Sequence, residues 1–254
     1  SSPPSRSCRL TARLRTAGPV RAAPVDGVAV FHRLYLSAAN GFTGGRGADG
    51  PTGTDDLAVR LADRYLGALA AARAGLRPPT GWRPLFRLRH HPGVRPCQFA
   101  LAGVSVHLAH DLPLALLEAA TVRGVGPDAL EADLDGLGGL LDGLEEAAGE
   151  RVRAELSSVA DPLAYLVGGR SAAGAKEAAW SAFRMLWRLG EAPALPGEFT
   201  ARLGAEAQSS ARLLLTPLRT PTAAAPRPER GRRAAGRGPG AGQSSGSSTG
   251  ASSS

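Results

Sequence analysis

The sequence predicts an all-α, single-domain helical bundle of about seven to nine helices with disordered N- and C-terminal tails. Between residues 25 and 216 the apolar side chains recur at helical spacing, and no alternating β-branched and aromatic run is long enough for a strand. Residues 1–24 are rich in Pro, Arg and Ala, and residues 217–254 in Pro, Arg, Gly and Ser. Because neither tail has much apolar surface to bury, we expect both to be disordered.

Three helical segments are predicted in the first third of the chain. The first helix begins after Asp26, whose carboxylate suits an N-cap, and runs to Asn40. A glycine-rich connector, 41–53, precedes a second helix over about 54–75. A short helix or turn follows at 82–89. These three segments precede the most apolar region of the chain.

The most apolar segment of the chain, 97–123, is predicted to be a helix that is broken or kinked at Pro113. The proline ring clashes with the carbonyl four residues before it, so a second helical piece should follow to about residue 123. Two histidines, an aspartate and this proline interrupt the apolar residues of the segment. We therefore expect no transmembrane segment and a soluble protein.

The second half of the domain is also predicted to be helical. A leucine-periodic helix to about residue 156 contains four glycines near its start, which should bend or split it. Asp161 and Pro162 form a cap signal for a short helix, and two further helices are predicted over 171–189 and 198–215. The three tryptophans are predicted core anchors: Trp82, Trp180 and Trp187.

The net charge of +8 lies in the tails. Residues 1–25 carry five arginines and no acid, and residues 217–254 carry six arginines and one glutamate, which leaves about −2 for the middle of the chain. A slightly acidic core predicts no nucleic-acid partner for the domain. The two cysteines, Cys8 and Cys97, match no metal spacing or disulfide framework, which favours a cytoplasmic location.

His107, His110 and Asp111 are the candidate site, because they concentrate titratable side chains within an otherwise apolar run. Residues three and four apart share a helix face, and burying such groups is unfavourable unless each finds a partner. One hypothesis is a divalent metal, Zn, Fe or Mn, that activates water for hydrolysis of a small or lipid-like substrate. Further ligands would come from other helices, and five donors are available: Glu118, Asp133, Glu177, Asp63 and His32.

Two metal-free interpretations compete with this one. Asp111 lies two residues before Pro113 and would cap the restarted helix, stabilising it by about 1 kcal/mol, while the histidines would bond carbonyls freed by the break. In that case the protein is a non-enzymatic structural or interaction module. Alternatively, the same three residues perform acid/base or binding chemistry without a metal.

Five segments of the sequence together resemble a known family. They are Asp26–Leu36, Trp82–Phe86, Gln98–Gly103, His107–Leu114 and Glu177–Trp180. In that order they resemble an uncharacterised actinobacterial family, the domain of unknown function 5995, over roughly residues 25–190. The most specific part is the His-x-x-His-Asp-Leu-Pro block followed by the Ala-Trp helix. The resemblance implies a soluble, mainly helical domain and no established activity.

This chain departs from the pattern of that family at four positions. Family members tend to have Asn where His32 and Ser105 stand, an Asp near Ala58 and an Asn near Gly138. If those polar positions form a shared site, this chain carries a reduced version of it.

A second resemblance concerns the adjacent His-Asp pair. The pair is similar to that of helical metal-dependent phosphohydrolases, in which His90 or His91 would supply an earlier ligand and Asp161 a later one. The spacing is loose and Pro113 does not fit that pattern, so we otherwise interpret His90 and His91 as a solvated turn.

Overall fold

The computed structural model describes residues 6–18, 26–45, 52–156, 172–190 and 195–218. Within these ranges the chain is helical and contains no strand, which confirms the all-α prediction. The α-helices are α1 (Arg6–Ala17), α2 (Gly27–Gly44), α3 (Thr52–Arg73), α4 (Arg83–Leu88), α5 (Pro96–Val106), α6 (Leu112–Arg123), α7 (Glu131–Gly136), α8 (Gly138–Glu155), α9 (Ala172–Leu189) and α10 (Leu195–Leu214). A 3₁₀ turn at Thr80–Trp82 precedes α4, and another at Pro127–Leu130 precedes α7.

Helix α1 corrects the prediction that residues 1–24 are a disordered lead-in. Leu10 and Leu14, one turn apart, are 1% and 0% exposed, so α1 buries an apolar stripe despite its arginines. The carbonyl of Leu14 also accepts a hydrogen bond from Nε2 of His32 at 2.8 Å. The composition of this segment indicated disorder because its arginines outnumber the two leucines that are buried. Residues 1–5 and 19–25 lie outside the described residues.

The start of α2 agrees with the sequence. The carboxylate of Asp26 accepts from the backbone N–H groups of Val28 at 3.0 Å and Ala29 at 3.3 Å, as an N-cap does. Burial opposes ionisation of Asp26, but the Arg89 guanidinium and these N–H groups hold its pKa below the ordinary value. The helix continues to Gly44, four residues beyond the predicted end.

The predicted break at Pro113 is replaced by a π-helical turn. Residues His107–Asp111 form this π turn, which joins α5 to α6 and makes a continuous 28-residue helical stretch from Pro96 to Arg123. The N–H of Leu112 donates to the carbonyl of His107, five residues back. A π turn contains one residue more than an α-helical turn. It therefore accommodates the ring of Pro113, which would clash with a carbonyl of a regular α-helix, without ending the helix.

The stretch from Pro96 to Arg123 is long and apolar enough, by length and composition, to cross a membrane. However, 78% of its apolar window is buried inside the structure, which is the environment of a core helix. It packs against α2, α8 and α10 through α5, and against α3 and α9 through α6.

The glycine-rich start of the leucine-periodic helix splits it, as predicted. Helix α7 ends at Gly136, α8 begins at Gly138, and Leu137 between them is buried. A Cβ atom at Gly136 would lie 2.4 Å from Oγ1 of Thr54, so a glycine there lets α3 approach α7 closely. The bend therefore serves the packing of α3.

The last two helices match their predictions within three residues, whereas the predicted short helix at Asp161–Val167 lies outside the described residues. Trp82 is fully buried, as a core anchor should be. Trp180 and Trp187 on α9 are only partly buried and pack against the edge of the core. All described helices lie within one compact unit, Ser1–Thr220, and residues 219–254 lie outside the described residues.

Candidate functional site

The three predicted site residues do converge, and Trp82 joins them. We call Asp111, His107, His110 and Trp82 the Asp111 cluster. Oδ2 of Asp111 lies 2.9 Å from Nδ1 of His107 and accepts a 2.9 Å hydrogen bond from the indole N–H of Trp82. Oδ1 of Asp111 lies 2.8 Å from Nδ1 of His110. Both carboxylate oxygens are therefore engaged.

The backbone explains how two histidines reach one carboxylate. His107 and Asp111 are four residues apart and share a face, as on any helix. His110 and Asp111 are neighbours in sequence, and neighbours on an α-helix point about 100° apart. Here both residues lie in the π turn, which is wound more widely than an α-helix, and their side chains are in contact.

The cluster is almost sealed from solvent. The side chains of His107 and Asp111 are 0% and 2% exposed, and that of His110 is 8% exposed. Burial opposes ionisation of Asp111, whereas the hydrogen bonds from His107 and His110 favour it and hold the pKa of Asp111 below its ordinary value. Because an ionised carboxylate can only accept hydrogen bonds, Nδ1 of each histidine donates its N–H to Asp111.

Aromatic rings enclose the His107 side of the cluster. The His107 ring centroid lies 4.8 Å from that of Tyr35, 6.0 Å from Phe31 and 6.5 Å from Tyr65. Within the described part of the chain, Nε2 of His107 and the hydroxyl of Tyr35 are buried and have no hydrogen-bond partner. Burial, with the nearby Asp111 charge, raises the pKa of Tyr35 well above its ordinary value. No substrate can reach His107 without opening this wall.

The His110 ring lies against two glycines. A Cβ atom at either Gly81, in the 3₁₀ turn before α4, or Gly204, on α10, would lie 3.7 Å from the ring. The two backbones thus close over His110 and leave it a small exposed edge.

The N-cap interpretation of Asp111 is wrong. Its backbone is helical, with φ −79° and ψ −38°, and its side chain makes no capping hydrogen bond. The π turn keeps the helix continuous, so no restarted N-terminus is present for Asp111 to cap. The carboxylate instead bonds side chains from two elements.

The metal hypothesis gains no support from the structure. Among the described residues, no group of three or more His, Cys, Asp and Glu side chains is arranged to hold a metal ion. The predicted remote donors are engaged elsewhere or exposed: Glu118 with Arg60 and Arg64, Asp63 with Arg13, Asp133 with Arg123, His32 with Tyr65 and Leu14, and Glu177 at the surface.

The ligands suggested by the phosphohydrolase comparison are not assembled either. Nδ1 of His91 accepts from the N–H of Gly93 at 3.1 Å within a turn, and His90 belongs to the same turn. Asp161 lies outside the described residues. Cys97 is buried and its pKa is raised to about 12 by burial and by Glu155, which makes it a poor nucleophile.

The four positions that depart from the family pattern lie in different settings. His32 bonds Tyr65 and Leu14 beneath α1, and Ala58 is buried in the core. Gly138 begins α8, and Ser105 lines a cavity. Two of these departures thus lie in packed surroundings and one lies at the cavity described next.

A cavity of about 750 Å³ lies on the other side of the π turn. Leu108 and Ala109, which lie between His107 and His110 in the sequence, form part of its wall. Helices α5, α8, α9 and α10 supply the remainder: Leu101, Val104, Ser105, Glu145, Ala148, Gly149, Gly174, Ala175, Ala178, Ala179, Ser181, Ala182, Met185, Phe199, Leu203 and Glu206.

Sequence reasoning missed both Trp82 as a partner of Asp111 and the cavity. The indole donor was interpreted as a core anchor, and its 29-residue separation from Asp111 carries no local signal. A signal for the cavity did exist in the row of small residues at helical spacing on α9, Gly174, Ala175, Ala178 and Ala182. Small side chains along one face leave space that a neighbouring helix does not fill.

Comparisons with known proteins identify the chain by family. No curated protein and no solved structure shows a significant match. A family model, described as "Family of unknown function (DUF5995)", matches residues 9–217 and so includes most of helix α1. Because the match covers most of the sequence, the chain belongs to this family of unknown function.

Proposed function

We propose that this protein binds a small apolar molecule in the cavity between α5, α8, α9 and α10, and that the Asp111 cluster is a structural element shaping one wall of it. The observation that carries the proposal is the cavity itself, about 750 Å³ in volume and lined mainly by aliphatic, glycine and alanine residues. Ligand sites for small molecules have volumes of about 300–1,000 Å³ and mostly apolar walls with a few polar groups.

The composition of the wall supports binding of an apolar molecule. Phe199 and Leu203 of α10 and Met185 of α9 contribute large apolar side chains to the wall, and the other α9 residues that line it are mostly small. Ser181 adds a hydroxyl group that orients a ligand by hydrogen bonding. Burial of a hydrocarbon body against such a wall is favourable by about 25 cal/mol for each Å² of apolar surface removed from water.

The sealed geometry of the Asp111 cluster supports a structural role. A general base must come within hydrogen-bond reach of a substrate proton, yet the side chain of His107 is fully buried and that of His110 is 8% exposed. Three N–H groups on one buried carboxylate instead hold the π turn in place. The π turn in turn presents Leu108 and Ala109 to the cavity.

Binding of the neutral fluorescent probe N-phenyl-1-naphthylamine tests the proposal. Ala182, which is partly buried in the cavity wall, is changed to Trp, and Ala201→Trp serves as the matched control because Ala201 is exposed on α10 and does not line the cavity. We expect the wild type and Ala201→Trp to bind the probe and Ala182→Trp to bind it at least about tenfold more weakly. Equal binding by all three proteins, with equal melting temperatures, would contradict the proposal.

Acid/base catalysis is the second candidate function. The observation in its favour is the 2.8 Å contact between Asp111 and His110, which resembles an orienting carboxylate and its base, together with the exposed edge of His110. Turnover of short-chain p-nitrophenyl esters that is lost in His110→Gln would favour this candidate. Stoichiometric Zn, Fe or Mn in the purified protein, lost in His107→Ala, would favour the metal form. Absence of both results would leave the binding function.

A further inference from the structure

We infer that the cavity selects a ligand with a cationic head group, an aliphatic ammonium, over an anionic ligand with the same apolar body. This inference rests on the proposed binding function and adds the charge of the ligand to it. It is carried by the charged residues of the cavity wall.

The charged side chains among the described lining residues are two carboxylates. Glu145, on α8, is partly buried and already has an interaction partner, so the inference rests on Glu206, which is on α10 and is exposed. The described lining residues include no Lys, Arg or His, and the Arg153 guanidinium, 3.4 Å from the Cβ position at Gly149, belongs to α8 whereas Glu206 is on α10. Glu206 also forms no ion pair with any residue that the structure describes. The wall therefore contributes negative charge at a position where Glu206 is available to a ligand.

The apolar lining makes this charge selective. A charged head group that enters an apolar cavity loses hydration and is stable there only if an opposite charge or hydrogen bonds replace the lost water. An ammonium group gains the attraction of Glu206, whereas a carboxylate group is repelled by it. Fatty-acid anions are consequently poor ligands, and an amine or ammonium with an aliphatic chain fits both the lining and the charge.

Three competitors with the same ten-carbon chain test this inference. Decan-1-ol, decylammonium and decanoate, each below its micelle concentration, displace N-phenyl-1-naphthylamine at pH 7.5 and low salt. We expect decylammonium to bind about fivefold more tightly than decan-1-ol, as for one partly exposed ion pair, and decanoate to bind more weakly than decan-1-ol. The advantage of decylammonium should shrink at high salt because ions screen exposed charges.

Isosteric variants locate the effect. In Glu206→Gln the advantage of decylammonium should fall to about twofold or less. Glu198→Gln removes the same charge from an exposed position of α10 outside the cavity wall and should keep the advantage. Retention of the full advantage in Glu206→Gln would overturn the inference.

The other outcomes separate the two proposals. If decan-1-ol displaces the probe and decylammonium is no better, or decanoate equals it, the charge inference fails while the binding function stands. If neither the probe nor decan-1-ol binds, the proposed function itself fails.

Discussion

The two faces of the π turn differ in a way that separates structure from function. One face carries His107, His110 and Asp111, which are polar yet almost fully buried and bonded to one another. The other face carries Leu108 and Ala109, which are apolar and line a cavity of about 750 Å³. The titratable residues of the π turn are packed into the core, whereas the open space has a mainly apolar wall.

This contrast teaches that residue chemistry alone is a weak guide to a site. A buried carboxylate needs hydrogen-bond donors wherever it lies, so a His-Asp cluster arises for stability as readily as for catalysis. A cavity, by contrast, sacrifices packing contacts and so points to a ligand. Substitutions on the two faces should therefore behave differently, with large stability effects on the cluster face.

Asp111→Ala should have the largest effect on stability. Removal of the carboxylate leaves the indole N–H of Trp82 and two imidazole N–H groups buried without an acceptor, at a cost of about 3–5 kcal/mol in the free energy of unfolding. Urea denaturation measures it. Asp142→Ala, at an exposed position on α8, is the control and should change the free energy by less than about 0.5 kcal/mol. Similar values for the two variants would contradict the structural role of the cluster.

Trp82→Phe should destabilise the protein by about 2–3 kcal/mol. The change keeps an aromatic ring but removes the 2.9 Å hydrogen bond to an ionised, buried acceptor. Trp187→Phe, on the partly buried edge of α9, should cost less than half as much. Equal losses in the free energy of unfolding for the two variants, measured by urea denaturation, would contradict a contribution from the Trp82 hydrogen bond.

The same Gly→Ala change should have opposite effects on stability in the core and in the cavity wall. A Cβ atom at Gly103 would lie 2.2 Å from Cδ2 of Phe31, so Gly103→Ala should cost about 1–3 kcal/mol. At Gly149, in the cavity wall on α8, the nearest atom is Nη1 of Arg153 at 3.4 Å. Gly149→Ala should therefore raise the free energy of unfolding by up to about 1 kcal/mol through helix propensity. Destabilisation by both variants would show that the Gly149 position does not accommodate a methyl group.

The smallest effect concerns pH and His32. Burial lowers the pKa of His32 below 6.5 in the folded protein, while its hydrogen bond to Leu14 acts in the opposite direction. The unfolded chain therefore binds the proton more readily, so the stability from His32 is present above about pH 6.5 and is lost as the pH falls below it. His32→Gln should show a shallower decline in the free energy of unfolding between pH 7.5 and 5.5 than the wild type. An unchanged slope would contradict the prediction.

Much of the fold was predictable because helical periodicity is a local property. Asp26 capped α2 as expected, and glycines split the leucine-rich helix near Leu137. Helix α1 was missed because two leucines in an arginine-rich segment become informative only when α2 and α3 are present to bury them. The convergence of His107, His110 and Asp111 was predictable from spacing, but the π turn that brings them together was not.

The sequence by itself determined an all-α domain and a polar block of two histidines and an aspartate within an apolar helix, since both follow from residues close together in the chain. Only the tertiary structure decided what that block contacts and where space remains. Trp82 reaches Asp111 from 29 residues away, and the cavity is bounded by helices that are distant in sequence. Such contacts depend on how all the side chains pack together, and no local pattern specifies that arrangement.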